Sequence, residues 1–273
     1  MKYALYGLHR GSSVDPDRFV ARARRAEEAG FEGLWVGDHI ALPSSAPDPA
    51  TEPRLEAVVA LAHLAAATRT VGLGAGVLVM PQRQPVLLAK QLASLDVLSG
   101  GRLSVGVGIG YVEAELGAFG VSLADRGAMT DEFLDAMAAL WTGAPASFDG
   151  RWVRFSDVTQ APAPTRRPGP PIVVGGHAPA SFRRAARFGD GWFGWDLDVE
   201  ETEAAIAKLE EATGGAGRLE ITVAPGRPIT PDIAAAYAAV GVDRLVVRPD
   251  DFTGSEIDEL IGRTGDDLIG AED

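Results

Sequence analysis

Short apolar segments alternate with longer amphipathic segments along almost the whole chain. Residues 71–111 show the pattern most clearly, because a buried strand, an amphipathic helix and a second buried strand are predicted in succession, and each strand ends in glycines. This order of elements is typical of a βαβ crossover between parallel strands. Glycine-rich turns at such strand ends allow the backbone to approach a phosphate or a flat ring closely. The region therefore predicts both the architecture and the place where a cofactor would lie.

The same alternation extends to both ends of the chain. Asp15 and Pro16 mark the start of one helix and Gly30 its end, the expected order of cap, early proline and terminal glycine. Asp149-Gly150 predicts a hairpin turn. Strands are predicted at residues 2–8, 33–37, 71–79, 102–108, 172–175, 191–195, 219–224 and 244–248, and helices at residues 15–30, 54–68, 85–98, 130–141, 180–188, 199–212, 231–240 and 255–262.

About eight βα units are what a (β/α)8 barrel requires. We therefore expect an α/β protein with a TIM-barrel fold and a single domain over residues 1–273. An open, doubly wound sheet is the alternative. The uninterrupted alternation and the number of units favour the barrel, and no linker divides the chain.

Composition excludes several classes of partner and of chemical site. The net charge of -13 argues against nucleic acid or an anionic membrane as the main partner, although a small anionic ligand could bind in a locally basic or amide-lined pocket. The absence of cysteine excludes disulfides, thiolate metal sites and cysteine nucleophiles. The chain shows no signal-peptide pattern, and its longest apolar run is too short to span a bilayer. We expect a cytoplasmic protein that acts on a small molecule.

Polar residues follow most of the predicted strands, at the carboxyl ends where a barrel carries its active site. Three of the 4 histidines are there, namely His9, His39 and His177, whereas His63 lies in a predicted helix and is expected to be structural. Asp38-His39 is the most specific pair. It indicates either a histidine placed for proton transfer beside a carboxylate that holds it, or a loop-start turn with a packed histidine.

Glycines end the fourth and fifth predicted strands. Residues 106, 108 and 110 form a GxGxG pattern, and Gly175-Gly176 ends the next strand. Their backbone N–H groups could converge on one phosphate, as a nest or a helix N-terminus does, although such glycines also occur in any tight turn. The pattern does not match the dinucleotide fingerprint GxGxxG.

Long segments of the chain resemble a known family. AEEAGFEGLWVGDH, GVLVMPQRQPVLLAKQLASLDVLSGGRLSVGVGIGY, the hairpin FDGRWVRF and PPIVVGGHAPASFRRAARFGDGW are similar to the bacterial-luciferase-like superfamily, and most similar to its branch that uses the deazaflavin coenzyme F420. The resemblance covers roughly residues 1–195. It implies a (β/α)8 barrel with a flavin-type ring across the strand ends, and hydride exchange with a small organic substrate.

The resemblance also implies roles for particular residues. Asp38 and His39 would lie by the ring and handle protons, and a cis peptide bond at Gly76-Val77 would form a bulge behind the ring. Tyr111 stands where some F420-dependent dehydrogenases carry an acidic glutamate, so proton transfer would depend on His39, Tyr111 or solvent. The residues expected to hold the phosphate are Gly108, Ile109, Gly110, Gly175, Gly176, His177 and Ala178.

Further details and alternatives remain open at this point. Glu113 and Glu115 are expected on a helix with a structural role, the loop 40–53 is expected to cover the substrate, and a homodimer is possible because relatives often pair. The closest alternative function is an FMN-dependent monooxygenase. The others are a metal-dependent hydrolase using His9, His39 and His177, and a protein that binds the cofactor without catalysis. No metal is part of the preferred interpretation.

Overall fold

The computed structural model describes residues 1–46, 50–215, 217–250, 252 and 256–270. Residues 47–49 of the loop expected to cover the substrate, and Ser255, where the last helix was predicted to begin, lie outside the described residues. The strands are β1 (Lys2–Tyr6), β2 (Gly33–Val36), β3 (Gly72–Ala75), β4 (Leu78–Val79), β5 (Leu103–Gly108), β6 (Ala146–Asp149), β7 (Arg154–Val158), β8 (Ile172–Gly175), β9 (Gly191–Trp195), β10 (Glu220–Ala224) and β11 (Arg244–Val247).

The helices lie between these strands. They are α1 (Pro16–Glu28), α2 (Ala57–Ala67), α3 (Pro85–Leu98), α4 (Glu113–Ala118), α5 (Arg126–Trp141), α6 (Pro179–Phe188), α7 (Val199–Thr213), α8 (Pro231–Ala239) and α9 (Glu256–Thr264). Their ends follow the local sequence. Asp15 accepts a hydrogen bond from the N–H of Arg18 at the start of α1, and Asp198 and Glu201 form a capping box on α7.

The parallel strands close into a barrel. The order is β3-β2-β1-β11-β10-β9-β8-β5-β4, and an additional pairing of β3 with β5 joins the two ends. Because β4 continues the third barrel strand after an interruption, the barrel has eight strands, and the predicted TIM barrel is confirmed. The antiparallel hairpin β6–β7 stands outside the barrel, at the predicted Asp149-Gly150 turn.

Aromatic side chains fill the barrel interior near the carboxyl ends of the strands. Trp35 and Phe193 stack with ring centroids 5.4 Å apart, and Tyr6 packs edge-on against Trp195 at 5.1 Å. A Cβ on Gly74 would lie 2.5 Å from the Trp35 ring, so glycine is required beneath that indole. The interior is therefore a packed core, and ligand chemistry is confined to the mouth of the barrel.

Among the described residues, none of the helices is long and apolar enough to cross a membrane.

Candidate active site at the barrel mouth

The third barrel strand is interrupted by a bulge. Gly74 pairs with Ser104 before the interruption and Leu78 pairs with Val107 after it, so the third strand contains one more residue than β5 over this stretch. The Gly76–Val77 peptide bond inside the bulge is cis, as predicted. The bulge lies beside the end of β2, because the Gly76 N–H donates to the Val36 carbonyl at 2.8 Å.

The bulge explains several glycines of the neighbouring strands. A Cβ on Gly108 would overlap a methyl group of Val77, and a Cβ on Gly175 would lie 2.8 Å from the other methyl group. A Cβ on Gly106 would overlap the Ala75 carbonyl oxygen. These glycines are therefore required by the close approach of the bulge, a packing reason that the sequence pattern did not reveal.

The two glycine turns themselves lie side by side at one edge of the barrel mouth. β5 and β8 are paired, with Val107 opposite Val174, so their following turns are neighbours. Gly110 and Gly176 have φ angles of +76° and +112°, which favour glycine. After the second turn, α6 begins at Pro179 with Ala178 as its N-cap, and alanine offers no side-chain hydrogen bond to the first N–H groups.

Asp38 holds the bulge in place. Its buried carboxylate accepts hydrogen bonds from the Val79 N–H at 2.9 Å and from Arg83 at 2.6 Å and 3.2 Å. Burial lowers the pKa of Arg83, but the carboxylates of Asp38 and Glu56 outweigh burial and raise it, so the guanidinium stays charged. Among the described residues, Asp38 accepts its hydrogen bonds from Val79 and Arg83 and none from His39, because successive side chains at a strand end point in different directions. The hypothesis that Asp38 holds His39 is therefore wrong.

Glu115 takes that role instead. Its carboxylate on α4 lies 3.0 Å from the Nδ1 atom of His39 and accepts the backbone N–H groups of Ile40 at 2.6 Å and Ala41 at 3.0 Å. Glu115 is only 2% exposed. Burial raises the pKa of its carboxyl, but the hydrogen bonds from His39, Ala41 and Ile40 outweigh burial and lower it. An ionised carboxylate at this position requires the proton of a neutral His39 ring to lie on Nδ1.

The Nε2 atom of His39 is left facing the barrel mouth beside Tyr111. The Tyr111 hydroxyl lies 3.4 Å from this nitrogen, and the two rings meet edge to face at 5.9 Å. Tyr111 is 75% exposed. The structure thus brings His39 and Tyr111 together, as the sequence suggested, and adds Glu115, which was expected to be structural. A carboxylate, an imidazole and a phenol in line can position and transfer a proton.

The other two strand-end histidines have separate partners. His9 is buried and its Nε2 accepts the Gly37 N–H at 3.1 Å, while burial, followed by the charge of Arg10, lowers its pKa to about 3. His177 accepts the Trp195 N–H at Nε2, 3.2 Å away, and burial lowers its pKa as well. In the part of the chain that the structure describes, no group of three or more His, Cys, Asp or Glu side chains could hold a metal ion.

A closed parallel barrel with a bulged third strand, two adjacent glycine turns and a histidine–glutamate pair at its mouth defines a (β/α)8-barrel protein with a candidate active site at the strand ends. The family model for luciferase-like monooxygenases matches residues 4–253. The chain therefore belongs to the luciferase-like monooxygenase family, and the resemblance seen in the sequence is confirmed.

Two of the similar proteins are named for a cofactor, and the two cofactors differ. An uncharacterised protein of Mycobacterium tuberculosis is 32% identical over 260 residues, covering 90% of this chain and 91% of the relative. The F420-dependent hydroxymycolic acid dehydrogenase of M. tuberculosis is 30% identical over 250 residues, covering 89% of this chain and 65% of that protein. The FMNH2-dependent dimethylsulfone monooxygenase of Pseudomonas putida is 34% identical over 163 residues, covering 58% of this chain and 45% of that protein.

A solved structure supports the fold assignment. An F420-dependent secondary alcohol dehydrogenase in complex with an F420–acetone adduct has a TM-score of 0.82 at 17% identity, with 100% of this chain and 99% of that chain covered. At this level of identity the likeness concerns the fold. The family as a whole consists of oxidoreductases and monooxygenases with F420-dependent and FMN-dependent members.

Proposed function

We propose that this chain is an oxidoreductase that uses coenzyme F420 to exchange a hydride with a small organic substrate. The observation that carries the proposal is the His39–Glu115 pair, which fixes an imidazole just after the carboxyl end of β2. Exchange of a hydride at an alcohol or carbonyl carbon requires a proton to leave or reach the attached oxygen. The relative that uses F420 aligns over 89% of this chain and the FMNH2-dependent one over 58%, which supports F420.

The residues around the bulge fit a flat ring that carries a phosphate. Val77 is half-buried between the glycine turns of β5 and β8, and Gly76 packs closely on the aromatic interior, because a Cβ there would lie 3.0 Å from the Phe193 ring. At the start of α6, Pro179 has no N–H and the Ser181 N–H donates to the Ala178 carbonyl at 2.8 Å, so the Ala180 N–H is the donor that the N-cap leaves for an anion. We propose that Gly76 and Val77 contact the ring, and that the phosphate is held by Gly108, Ile109, Gly110, Gly175, Gly176, His177 and Ala178.

When bound, the deazaflavin would supply or accept the hydride. His39 would exchange the proton of the substrate oxygen through Nε2, and Tyr111 would hydrogen-bond to the same oxygen or to Nε2. Glu115 would fix the His39 ring and stabilise the positive charge that the ring gains when it accepts a proton. Asp38 would contribute only indirectly, by holding the bulge through Val79.

The cofactor assignment can be tested by equilibrium titration of the purified protein with F420 and with FMN, followed by cofactor fluorescence. We expect saturable binding of F420 and much weaker binding of FMN. Tight FMN binding without F420 binding would end the F420 assignment. It would favour the second candidate, an FMN-dependent monooxygenase, for which the FMNH2-dependent relative is the supporting observation.

The catalytic assignment needs a separate measurement. Turnover of reduced F420 with a panel of enones, imines and aldehydes is expected in the unmodified protein. His39→Ala should abolish turnover while leaving F420 affinity within about twofold, and His63→Ala, on the outer helix α2, is the matched control. Binding of F420 without turnover of any compound would favour a cofactor-binding protein that is not an enzyme.

A further inference from the structure

A cavity of about 190 Å³ lies on another side of the barrel mouth. The loop 225–231 after β10, the end of β11, helix α9 and residues 267–268 after it line the cavity, so it begins at the carboxyl ends of the seventh and eighth barrel strands and extends along α9. None of the residues assigned above to the ring, the phosphate or proton transfer lines this cavity. It is therefore separate from the glycine turns of β5 and β8.

Three arginines line the cavity, although the chain as a whole is acidic. Arg227, Arg248 and Arg263 are among its walls, whereas the net charge is -13. Arg227 and Arg263 are exposed and make neither an ion pair nor a side-chain hydrogen bond with any described residue. Arginines with unused donors around one cavity favour an oxyanion ligand, because the guanidinium matches carboxylate and phosphate geometry.

Arg248 supplies a second and independent observation. Its Nη2 donates to Asp196 Oδ1 at 2.8 Å, and its guanidinium lies 5.0 Å from the centroid of the Trp195 ring. Its Nε is buried and, among the described residues, has no hydrogen-bond partner. A buried N–H without an acceptor is unfavourable, so Arg248 carries a donor in the cavity wall that the described residues leave unsatisfied. Trp195 in turn packs against Tyr6 in the barrel interior, so Arg248 connects the cavity wall to the aromatic side chains inside the barrel.

Carboxylates line the cavity as well, but they do not make a cation site. Asp250, Glu256 and Asp267 are in its walls. Glu256 Oε1 already accepts the Asp250 N–H at 3.0 Å, and the described residues include no acidic cluster with the geometry of a metal site. The loops after strands seven and eight are also a frequent place for phosphate binding in (β/α)8 barrels.

We propose that this cavity binds the phosphate or carboxylate group of an anionic substrate, with Arg227, Arg248 and Arg263 as the binding residues. The assignment to the substrate depends on the function proposed above, whereas anion binding itself does not. The substrate would then carry its oxyanion on the β10–β11 side and its reacting carbon near the bulge.

Isothermal titration of the purified full-length protein with inorganic phosphate, without cofactor, tests the anion site directly. We expect saturable binding that the double variant Arg227→Gln/Arg263→Gln weakens by roughly tenfold or more, since each arginine contributes a charged hydrogen bond. Both side chains are exposed, so the variant should fold, and an unchanged Tm would verify this. Arg69→Gln is the matched control, because Arg69 is an exposed arginine before β3, at the opposite end of the barrel. Equal affinity in all three proteins, or no saturable binding, would overturn the proposal.

A second titration separates the two possible sources of the oxyanion. Saturation with F420 should leave the phosphate binding that the double variant weakens within about twofold of its affinity if the cavity serves the substrate. Displacement by F420 of this Arg227- and Arg263-dependent binding would assign the cavity to the cofactor and overturn the substrate assignment, whereas phosphate bound at the glycine turns is unaffected by the double variant. Because neither titration requires turnover, a failure of the anion site is distinguishable from a failure of the proposed oxidoreductase activity.

Discussion

Glu115→Gln is the substitution that best tests how the site works. The change keeps the size of the side chain, but only one of its two terminal atoms can still accept hydrogen bonds. Glu115 now accepts from the backbone of Ile40 and Ala41 with one oxygen and lies against His39 Nδ1 with the other. Two backbone donors facing an amide NH2 would be unpaired, so we expect the amide oxygen to keep them and the NH2 group to face His39.

That arrangement reverses the His39 tautomer. An NH2 group facing Nδ1 requires this nitrogen to accept a hydrogen bond, so the proton of the neutral ring moves to Nε2. A protonated Nε2 can no longer take a proton from a substrate hydroxyl. A hydrogen bond to a charged partner contributes roughly 1.5–3 kcal/mol. If the whole amount is lost in the transition state, kcat should fall by roughly 10- to 150-fold in the direction of alcohol oxidation.

Steady-state rates with saturating F420, followed by the absorbance of the deazaflavin, measure this effect, and F420 affinity should stay within about twofold. Glu113→Gln is the matched control, because Glu113 is exposed on the same helix. The reasoning is refuted if a folded Glu115→Gln variant turns over at the unmodified rate, or if Glu113→Gln loses as much activity.

Three further outcomes can be measured by urea unfolding. Gly108→Ala should lower the free energy of unfolding by about 1–3 kcal/mol because its Cβ would overlap Val77, and the loss should shrink in a Val77→Ala background; equal losses in both backgrounds would contradict the packing argument. Asp38→Asn should lower the free energy of unfolding by about 1.5–3 kcal/mol, since the Arg83 guanidinium loses its charged hydrogen bonds to Asp38 while its ion pair with Glu56 remains, and a loss below about 1 kcal/mol would show that the Asp38–Arg83 pair does not hold the bulge. Burial raises the pKa of Glu27, but hydrogen bonds from the backbone and the hydroxyl before β3 lower it to about 2. A depressed pKa stabilises the fold above the unfolded value of 4.5 and loses this effect as the pH falls towards 2, so Glu27→Gln should destabilise the protein at pH 7 and have little effect near pH 2.

The architecture could be predicted from the sequence because each barrel unit is specified locally. Apolar runs of strand length recur at every unit, caps such as Asp15 and terminal glycines such as Gly30 mark several of them, and the number of units favours a closed sheet. The cis bond at Gly76-Val77 came from the family resemblance, since no local pattern in the residues requires it. Helix α5 was predicted to begin at about Thr130 and begins at Arg126, so the helix was predicted correctly and only its boundary was wrong.

The candidate site was predicted less completely, because its contacts join residues that are far apart in the chain. Glu115 lies 76 positions from His39, and a glutamate in the first turn of a short helix looks like an ordinary helix-dipole residue. Its burial is the signal that distinguishes it, and burial is a tertiary property. The sequence suggested Asp38, the carboxylate adjacent to His39, as the partner of the imidazole. That prediction was wrong because Asp38 accepts its hydrogen bonds from Arg83 and Val79.

The carboxylate of Glu115 also holds the first backbone amides of the loop that follows β2. These two hydrogen bonds tie the backbone directly after His39 to α4, so the imidazole is fixed from both its side chain and its own stretch of main chain. Slow amide hydrogen exchange at Ile40 and Ala41 would be the signature of this anchor.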